Sequence, residues 1–399
     1  MSGVNAELKD IPAEDRLAVL KRSTLISVIA FLTLIDLFGS QALLPTLVEA
    51  YGVSRSAMGF AVNASTIGMA AASLAVAALS HRIDRKRGIW ISLALLSIPT
   101  FLLGFTVDLT TFTLLRIGQG IFMSMAFTLT LTYLSEECPM TAIAGAMAAY
   151  ITGNVASNLI GRFMASGVAD TFGLTASFTT FAILNLAGAA VAYASIGSRS
   201  GPRTGGGASR RSVVESWGAH FADARLRSAF LIGFIILFVF VATFTYANFV
   251  IAAPPFSLPQ MNIGYVYFVF LPAILTTPLA AHATRSYGAR RTFFAAMGVS
   301  IIGLALTATP IFALVLIGMA LVGAGLFFGQ SVATAYVGRT AKSDHAAANG
   351  LYLASYYLGG IAGAAILGQV FEAQGWTVSI AIMAALILAA VYLARVMDA

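Results

Sequence analysis

The segment GNVASNLIGR, residues 153–162, places strongly polar side chains inside an otherwise apolar run. Asn154, Asn158 and Arg162 follow at intervals of four residues, so on a helix they share one face with about 40° of drift per step. Tyr150 precedes them on the same stripe. An amide donates and accepts hydrogen bonds, and a guanidinium presents a rigid fork that suits carboxylate or phosphate. The spacing predicts either a face that binds a small molecule or amides that join neighbouring helices.

Two more ionisable side chains, Asp36 and Arg116, lie inside apolar runs of the first half of the chain. A charge near the bilayer centre is costly unless it is paired or hydrated, so such residues face the bundle interior or a water-filled cavity. Asp36 is the only carboxylate in the predicted membrane interior, which makes it the candidate proton carrier, with Arg116 as the neighbour that tunes its proton affinity. The alternative is a static pair that only holds helices together.

The composition indicates that the bilayer is the solvent of this chain. Of its 399 residues, 59% are hydrophobic and 10% are charged, whereas a soluble domain carries roughly a quarter charged residues. Apolar runs recur, each near the roughly 20 residues that a spanning helix needs. The sequence predicts an all-α membrane protein of twelve transmembrane helices, with approximate spans 24–45, 57–80, 89–107, 110–134, 142–168, 174–196, 229–252, 261–281, 292–309, 311–336, 347–370 and 376–394.

The distribution of basic residues predicts the topology. With a cytoplasmic N-terminus, 20 of the 23 Lys and Arg residues fall in inner segments, and Arg55 alone falls in an outer loop. Because cytoplasmic loops carry the excess of basic residues, both termini are expected to be cytoplasmic, in a multi-pass protein of the inner membrane. The net charge of +7 is then a topology signal and does not indicate a nucleic-acid partner.

The chain divides into two halves that resemble each other. LLRIGQGIFMS (114–124) lines up with MALVGAGLFFG (319–329), and a Gly/Ser/Arg-rich stretch separates the halves. Two parallel six-helix repeats around a site at the membrane midplane are typical of secondary transporters. The predicted units are a cytoplasmic segment 1–23, an N-terminal bundle 24–197, a cytoplasmic linker 198–227 and a C-terminal bundle 228–399.

Neutral side chains populate the apolar runs of the second half. Tyr246 and Asn248 lie in the seventh span, Gln330 in the tenth and Tyr356 in the eleventh. Together with Gln119 of the fourth span, these hydroxyls and amides among aromatic rings suit an amphipathic substrate. Each tyrosine could equally serve helix packing or the membrane interface.

No enzymatic signature accompanies these residues. The chain has one cysteine, Cys138, and four scattered histidines, so it offers neither an internal disulfide nor a metal cluster. It has no H-E-x-x-H zinc motif, no G-x-S-x-G motif in a suitable place and no nucleotide-binding loop. We expect no cofactor and a proton or other ion gradient as the driving force. The expected partners are a small-molecule substrate and membrane lipids, and the protein is expected to be a monomer.

Several segments resemble the major facilitator superfamily. ALSHRIDRKRG (78–88) is similar to its loop motif G-x-L-a-D-R-x-G-R-K, and RIGQG (116–120) to its fourth-helix motif R-x-x-Q-G. LTYLSEE (131–137), YITGN with the later GR (150–162), and LYLASYYLGG (351–360) resemble the YnfM-like inner-membrane transport proteins. The resemblance implies a twelve-helix transporter that works by alternating access, in a group assigned to efflux.

The loop motif departs from the family pattern. Its acid is replaced by His81 and its second glycine by Asp84. In the family that acid caps a neighbouring helix and pairs with an arginine, which latches one conformation. The resemblance therefore implies a latch built from Arg85 and Lys86, with Asp84 or Glu137 as the acidic partner. The alternative is a basic loop that only determines topology.

Two functions remain open from the sequence. A proton-coupled exporter of a small amphipathic or organic molecule agrees with the efflux resemblance, with Asp36 and with the hydroxyls and amides among aromatic rings in the second half. A carrier for a small organic anion, working by uptake or exchange, agrees with two intramembrane arginines, Arg116 and Arg162, against one acid.

Overall fold

The computed structural model of the chain describes residues 13–79, 83–137, 143–196, 213–341 and 345–398, and this part is almost entirely helical, without strands. The α-helices in chain order are α1 (Ala13–Ala42), α2 (Leu44–Tyr51), α3 (Arg55–Asn63), α4 (Ser65–Leu79), α5 (Arg85–Leu103), α6 (Leu109–Glu137), α7 (Ile143–Ser195), α8 (Val213–Ala222), α9 (Ala224–Ala252), α10 (Gln260–Val266), α11 (Leu271–Thr276), α12 (Ala280–Tyr287), α13 (Ala289–Leu306), α14 (Phe312–Thr340) and α15 (His345–Leu393). Short 3₁₀ turns occupy Tyr267–Phe270, Thr277–Leu279 and Ala394–Asp398.

Nine helices within the described ranges are long and apolar enough to cross a membrane. Two of them exceed one crossing, since α7 has 53 residues and α15 has 49. Each is broken at a glycine with positive φ, Gly173 (85°) and Gly375 (79°), a conformation that residues with a side chain rarely adopt. The predicted run 261–281 is instead built from short helices and 3₁₀ turns. The all-α membrane fold is confirmed, and the count of twelve helices stays a prediction.

The predicted linker 198–227 is only partly covered by the structure. Residues 197–212 lie outside the described residues, and the remainder contains α8 and the start of α9. The division of the chain into four units therefore stays a prediction.

Small residues let α1 and the first part of α7 pack very closely. A Cβ atom at Gly153 would collide with the backbone carbonyl of Ser27, and one at Gly161 with that of Ile35. In lipid, where apolar side chains gain little from leaving the solvent, such close backbone approach is a main source of helix association. The two glycines flank Asn158, so they bring the polar stripe of α7 against the part of α1 that carries Asp36.

Hydrogen bonds join the two predicted halves of the molecule. Asn63 on α3 donates through Nδ2 to Thr245 Oγ1 (3.1 Å), and Asn248 on α9 donates through Nδ2 to the backbone oxygen of Gln41 (2.8 Å). Further along, the backbone N–H of Ser56 donates to Glu372 Oε1 (2.8 Å). These contacts place the candidate polar residues of both halves at one interface.

Candidate functional site

Asp36 lies at the centre of a group that we call the carboxylate cluster: Asp36, Thr100, Gln119 and Asn185. The four side chains are fully buried and come from α1, α5, α6 and the second part of α7. Asp36 Oδ2 accepts hydrogen bonds from Thr100 Oγ1 (2.9 Å), Gln119 Nε2 (3.1 Å) and Asn185 Nδ2 (3.1 Å). Asp36 Oδ1 makes no hydrogen bond with any described residue. A carboxylate held in this way keeps one oxygen available to a proton.

Arg116 is tied to Asp36 through Gln119. Arg116 Nη1 donates to Gln119 Oε1 (2.6 Å), and Gln119 Nε2 donates to Asp36 Oδ2. The remaining N–H groups of Arg116 donate to oxygens of other helices, namely Leu37 O (3.5 Å), Ser40 Oγ (3.2 Å), Val62 O (2.8 Å) and Ser65 Oγ (3.2 Å). Asp36 and Arg116 are therefore neighbours, as the predicted pair requires, but they do not touch. Gln119, which the sequence predicts as a substrate ligand, bridges them.

Arg162 lies in a second group, the guanidinium cluster, formed by Arg162, Gln41, Tyr267 and three phenylalanines. Its side chain is fully buried, and Nη2 donates to Gln41 Oε1. Its Cζ atom lies 4.1 Å from the ring centroid of Tyr267. Three further rings surround it at 5.7, 5.6 and 5.2 Å, those of Phe38, Phe244 and Phe270. A guanidinium over aromatic faces is attracted by their negative π-clouds, so the rings stabilise a charge that has no carboxylate beside it among the described residues.

The guanidinium cluster retains unused hydrogen-bonding capacity. Arg162 Nε and Nη1, and both amide atoms of the fully buried Asn158, have no hydrogen-bond partner among the described residues. A guanidinium carries five N–H groups, and Gln41 takes one of the two on Nη2. The other Nη2 hydrogen stays available, and it lies side by side with a hydrogen of either Nε or Nη1. Two parallel N–H groups therefore remain, which form one complete edge of the guanidinium. This edge is suited to an anion with two oxygens.

Consecutive residues of two helices connect the clusters. On α1, Ser40 accepts from Arg116 and the adjacent Gln41 accepts from Arg162. At the end of α3, Val62 O accepts from Arg116, and Asn63 Oδ1 accepts from Gln41 Nε2 (2.7 Å). A shift of α1 or α3 would therefore change the surroundings of both arginines together.

The second half contributes to the guanidinium cluster through α9 and the 3₁₀ turn that follows α10. Asn248 Oδ1 accepts from the hydroxyl of Tyr267, whose ring stacks on Arg162. Asn248 Nδ2 also donates to Gln41 O. Asn248 thus contacts the guanidinium cluster and connects both halves of the molecule, and its role in substrate binding stays a prediction.

Two other predicted substrate ligands, Tyr246 and Tyr356, lie away from both clusters. The Tyr246 hydroxyl donates to the backbone oxygen of Ala364, so this side chain joins α9 to α15. Tyr356 packs against the rings of Tyr352 and Tyr357, at centroid distances of 6.2 and 5.6 Å. In the part of the chain that is described, neither of these tyrosines contacts either cluster.

Three further predicted ligands are not brought into the clusters. Gln330 and Asn154 are half-buried, and within the described ranges neither side chain hydrogen-bonds to either cluster. The side chain of Tyr150 lies outside the described residues.

The predicted latch loop has local contacts. Asp84 caps α5 by accepting from the backbone N–H of Arg87 (2.7 Å), and Lys86 Nζ lies 5.1 Å from the ring centroid of Tyr193. Arg85 Nη1 donates to the backbone oxygen of Ile83 (3.0 Å). The side chain of Glu137 lies outside the described residues. The latch function therefore stays a prediction.

Sequence reasoning missed Gln41, Asn63, Thr100, Asn185 and Tyr267. The first four are polar side chains inside apolar runs, as in FGSQALL and AILNLAGA. Three of them, Gln41, Asn63 and Asn185, are amides, so an amide inside an apolar run is the signal that identifies them. Tyr267 carries no such signal, because a tyrosine in a membrane helix also suits packing or the interface.

Comparison with known proteins identifies the family of this fold. Residues 26–276 and 249–398 match the model of the Major Facilitator Superfamily. An uncharacterised MFS-type transporter of Bacillus subtilis (strain 168), YybF, is 26% identical over 367 residues, covering 91% of this chain and 90% of that protein. The inner membrane transport protein YnfM of Escherichia coli (strain K12) is 27% identical over 340 residues, covering 85% of this chain and 81% of that protein.

A solved structure of a variant of the nucleoside transporter NupG resembles this chain, with a TM-score of 0.76 and 14% identity, covering 95% of this chain and 100% of that one. At this identity the likeness supports the fold alone. The family and these relatives are transporters and not enzymes.

Proposed function

The chain belongs to the Major Facilitator Superfamily and is a multi-pass membrane protein that transports a substrate; we propose that it is a secondary active transporter of the inner membrane that exports a small amphipathic organic molecule in exchange for protons. The observation that carries this proposal is Asp36. It is the only carboxylate among the buried side chains of the described residues, and its Oδ1 has no hydrogen-bond partner there.

Proton coupling follows from the two opposing influences on this carboxyl. Burial favours the neutral form of a carboxyl, whereas a nearby guanidinium and hydrogen-bond donors favour the charged form. Alternating access changes the balance, because water reaches the site from one side at a time. Asp36 then binds a proton in one conformation and releases it in the other.

Export is supported by the resemblance of the chain to the YnfM-like group. An amphipathic substrate is supported by the aromatic rings around Arg162, which offer an apolar surface beside polar groups. An amphipathic cation would compete with the proton for Asp36, since both are favoured by its negative charge. Such competition is the thermodynamic basis of antiport.

The test uses purified protein in proteoliposomes with ethidium as an amphipathic cation. Asp36→Asn should abolish movement of ethidium driven by a pH gradient while binding partly survives, because the amide cannot titrate. Asp170→Asn, which changes an exposed carboxylate of the same helix as Arg162, is the matched control and should transport normally. Transport at the normal rate by the Asp36→Asn variant would refute the proton assignment.

A second candidate function, a carrier for a small organic anion, is favoured by the free edge of Arg162 and the unpaired amide of Asn158. The two candidates predict opposite pH dependences of binding. Protonation of Asp36 removes a negative charge near the site, so an anion such as benzoate should bind more tightly as the pH falls, which leads to cotransport. Ethidium should bind more weakly as the pH falls. Affinities measured across pH 5 to 8 separate the two.

A further inference from the structure

We propose that Asn185 and Thr100 are positioning residues that orient the carboxyl group of Asp36, so that Oδ1 is the atom that receives the proton. The inference rests on the proposed proton coupling and adds the atom and the side chains that control it.

The two oxygens of Asp36 have different surroundings. Oδ2 accepts from three donors, on Thr100, Gln119 and Asn185, at 2.9 to 3.1 Å. Oδ1 is buried and accepts from no described residue. A proton on Oδ2 would face three donor groups and displace at least one of them, whereas a proton on Oδ1 leaves the three hydrogen bonds in place. The geometry therefore assigns the proton to Oδ1.

Thr100 acts as a donor with two alternative acceptors. Its hydroxyl oxygen lies 2.9 Å from Asp36 Oδ2 and 2.8 Å from the backbone oxygen of Leu96. A hydroxyl has one hydrogen, so it serves one acceptor at a time. When Asp36 is charged, the stronger acceptor is its carboxylate. With the proton on Oδ1, Oδ2 is a neutral carbonyl oxygen that still accepts from the hydroxyl, so this hydrogen bond weakens but stays in place.

Asn185 and Gln119 hold this arrangement from two further helices. The Nδ2 group of Asn185 lies 3.1 Å from both Asp36 Oδ2 and Thr100 Oγ1. Gln119 Nε2 reaches the same two atoms, at 3.1 and 2.7 Å. Each amide nitrogen carries two hydrogens, so each donates to both oxygens at once. The Thr100 hydroxyl, which accepts from both amides, is left with its own hydrogen for Asp36.

Among the described residues, the charged group that faces Asp36 is Arg116, from α6 through Gln119. Arg162, on the first part of α7, contacts Gln41 instead, five residues along α1 from Asp36. The partners from α5 and from the second part of α7, Thr100 and Asn185, are uncharged. Replacing these two therefore changes hydrogen bonding to Asp36 without adding or removing a charge.

The expected effect is a displacement of the proton titration toward higher pH. Donors to a charged carboxylate stabilise the charged form, so losing one should move the midpoint upward by about one pH unit. Thr100→Val removes the hydroxyl at nearly constant shape. Asn185→Leu removes both amide hydrogen bonds, and Asn185→Ser, which retains a hydroxyl donor, should shift the midpoint less than Asn185→Leu.

The measurement needs no substrate. Infrared difference spectroscopy of the purified protein follows the carboxylic acid C=O band of Asp36 during a pH titration, with Asp36→Asn as the blank. The matched control is Thr130→Val on α6, because Thr130 is buried and bonds its own i−4 carbonyl, as Thr100 does, but does not contact Asp36. Its titration should coincide with that of the wild type.

The outcomes separate this inference from the proposed function. If every band that titrates in the wild type also titrates in Asp36→Asn, Asp36 does not bind the proton and the proposed proton coupling is wrong. If the band titrates but Thr100→Val leaves the midpoint unchanged, or Thr130→Val shifts it equally, the positioning role is refuted. Should Asn185→Leu fail to fold, Thr100→Val decides alone, since melting temperatures recorded beside each titration report whether a variant is intact.

Discussion

The side chain of Arg162 distinguishes the anion carrier from the cation exporter. In the structure its Nη2 donates to Gln41, its Cζ lies 4.1 Å from the ring centroid of Tyr267, and its Nε and Nη1 have no hydrogen-bond partner among the described residues. Arg162→Lys preserves the charge but removes the planar fork, because an ammonium is a point charge that does not match two oxygens at once. Arg162→Ala removes the charge as well. The two changes therefore separate the contribution of geometry from that of charge.

The expected magnitudes follow from these contacts. If the free edge binds a carboxylate, lysine loses about one charge-assisted hydrogen bond, worth about 1.5–3 kcal/mol. At 1.4 kcal/mol per decade, the affinity for an anion should fall roughly 10- to 150-fold. Alanine removes one member of a buried charge pair, which costs about 2–5 kcal/mol, so binding should become hard to detect.

The assay measures affinity and stability on the same preparations. Isothermal titration with benzoate reports the affinity, and the melting temperature without ligand reports the fold, because a ligand that prefers the folded state stabilises it by mass action. Arg291→Lys, on the exposed surface of α13, is the matched control, and its affinity and melting temperature should equal those of the wild type.

Two results would refute this reasoning about the anion. If both substitutions lower the melting temperature without ligand while the affinity per folded molecule is unchanged, Arg162 only braces the helix bundle. If Arg162→Ala improves the binding of ethidium while benzoate binds neither protein, the site takes cations, since the loss of a like charge would then be favourable.

Three further predictions concern the ends of the helices. Replacing Arg85 and Lys86 by Ala should change the accessibility of engineered cysteines on the two sides of the membrane (after removal of Cys138), and unchanged accessibility on both sides would reduce this loop to a topology signal. Glu372→Gln should loosen the contact between the halves, because the acceptor of the Ser56 N–H loses its charge; spin-label distances across this end should lengthen, and identical distance distributions would contradict the prediction. Hydrogen bonds from Thr111, whose backbone N–H donates to Asp108 Oδ2 (2.7 Å), hold the pKa of Asp108 below its usual 3.8. A carboxyl whose pKa is lower in the folded than in the unfolded state stabilises the fold at pH values above the unfolded pKa, and this stabilisation is lost as the pH falls through the folded pKa. Asp108→Asn should therefore lower the melting temperature at neutral pH, and the difference from the wild type should close below pH 3.8. A difference in melting temperature that does not depend on pH would contradict this.

Several polar side chains of the site were accessible to prediction because polarity inside an apolar run is rare. Asp36, Arg116 and Arg162 are charged residues at membrane depth, and the structure buries all three. Asn158 and Arg162 share one face because the helical repeat determines that relation locally. The sequence also predicts Asn248, an amide of the opposite half, and this residue contacts the guanidinium cluster.

The partners of these residues were not accessible in the same way. Gln119 lies three residues from Arg116, yet its role as the bridge to Asp36 depends on how α1 and α6 are rotated about their axes. Asn185 reaches Asp36 across 149 residues of sequence. Tyr246 and Tyr267 look alike in sequence, and only packing distinguishes the first, which joins two helices, from the second, whose ring lies against Arg162.

The sequence by itself determined the class of the protein and the apolar runs in which its polar groups lie. Apolar runs of spanning length, few charges and basic loops between the runs indicate a helical membrane protein, because lipid leaves every backbone N–H and C=O to be satisfied within the segment. The tertiary structure decided which polar groups meet: Gly153 and Gly161 let α1 and α7 approach, and the rings of the second half close around Arg162. The physical reason is that hydrogen bonds between helices depend on rotation and register to within about an ångström, which pairwise packing sets and local sequence does not.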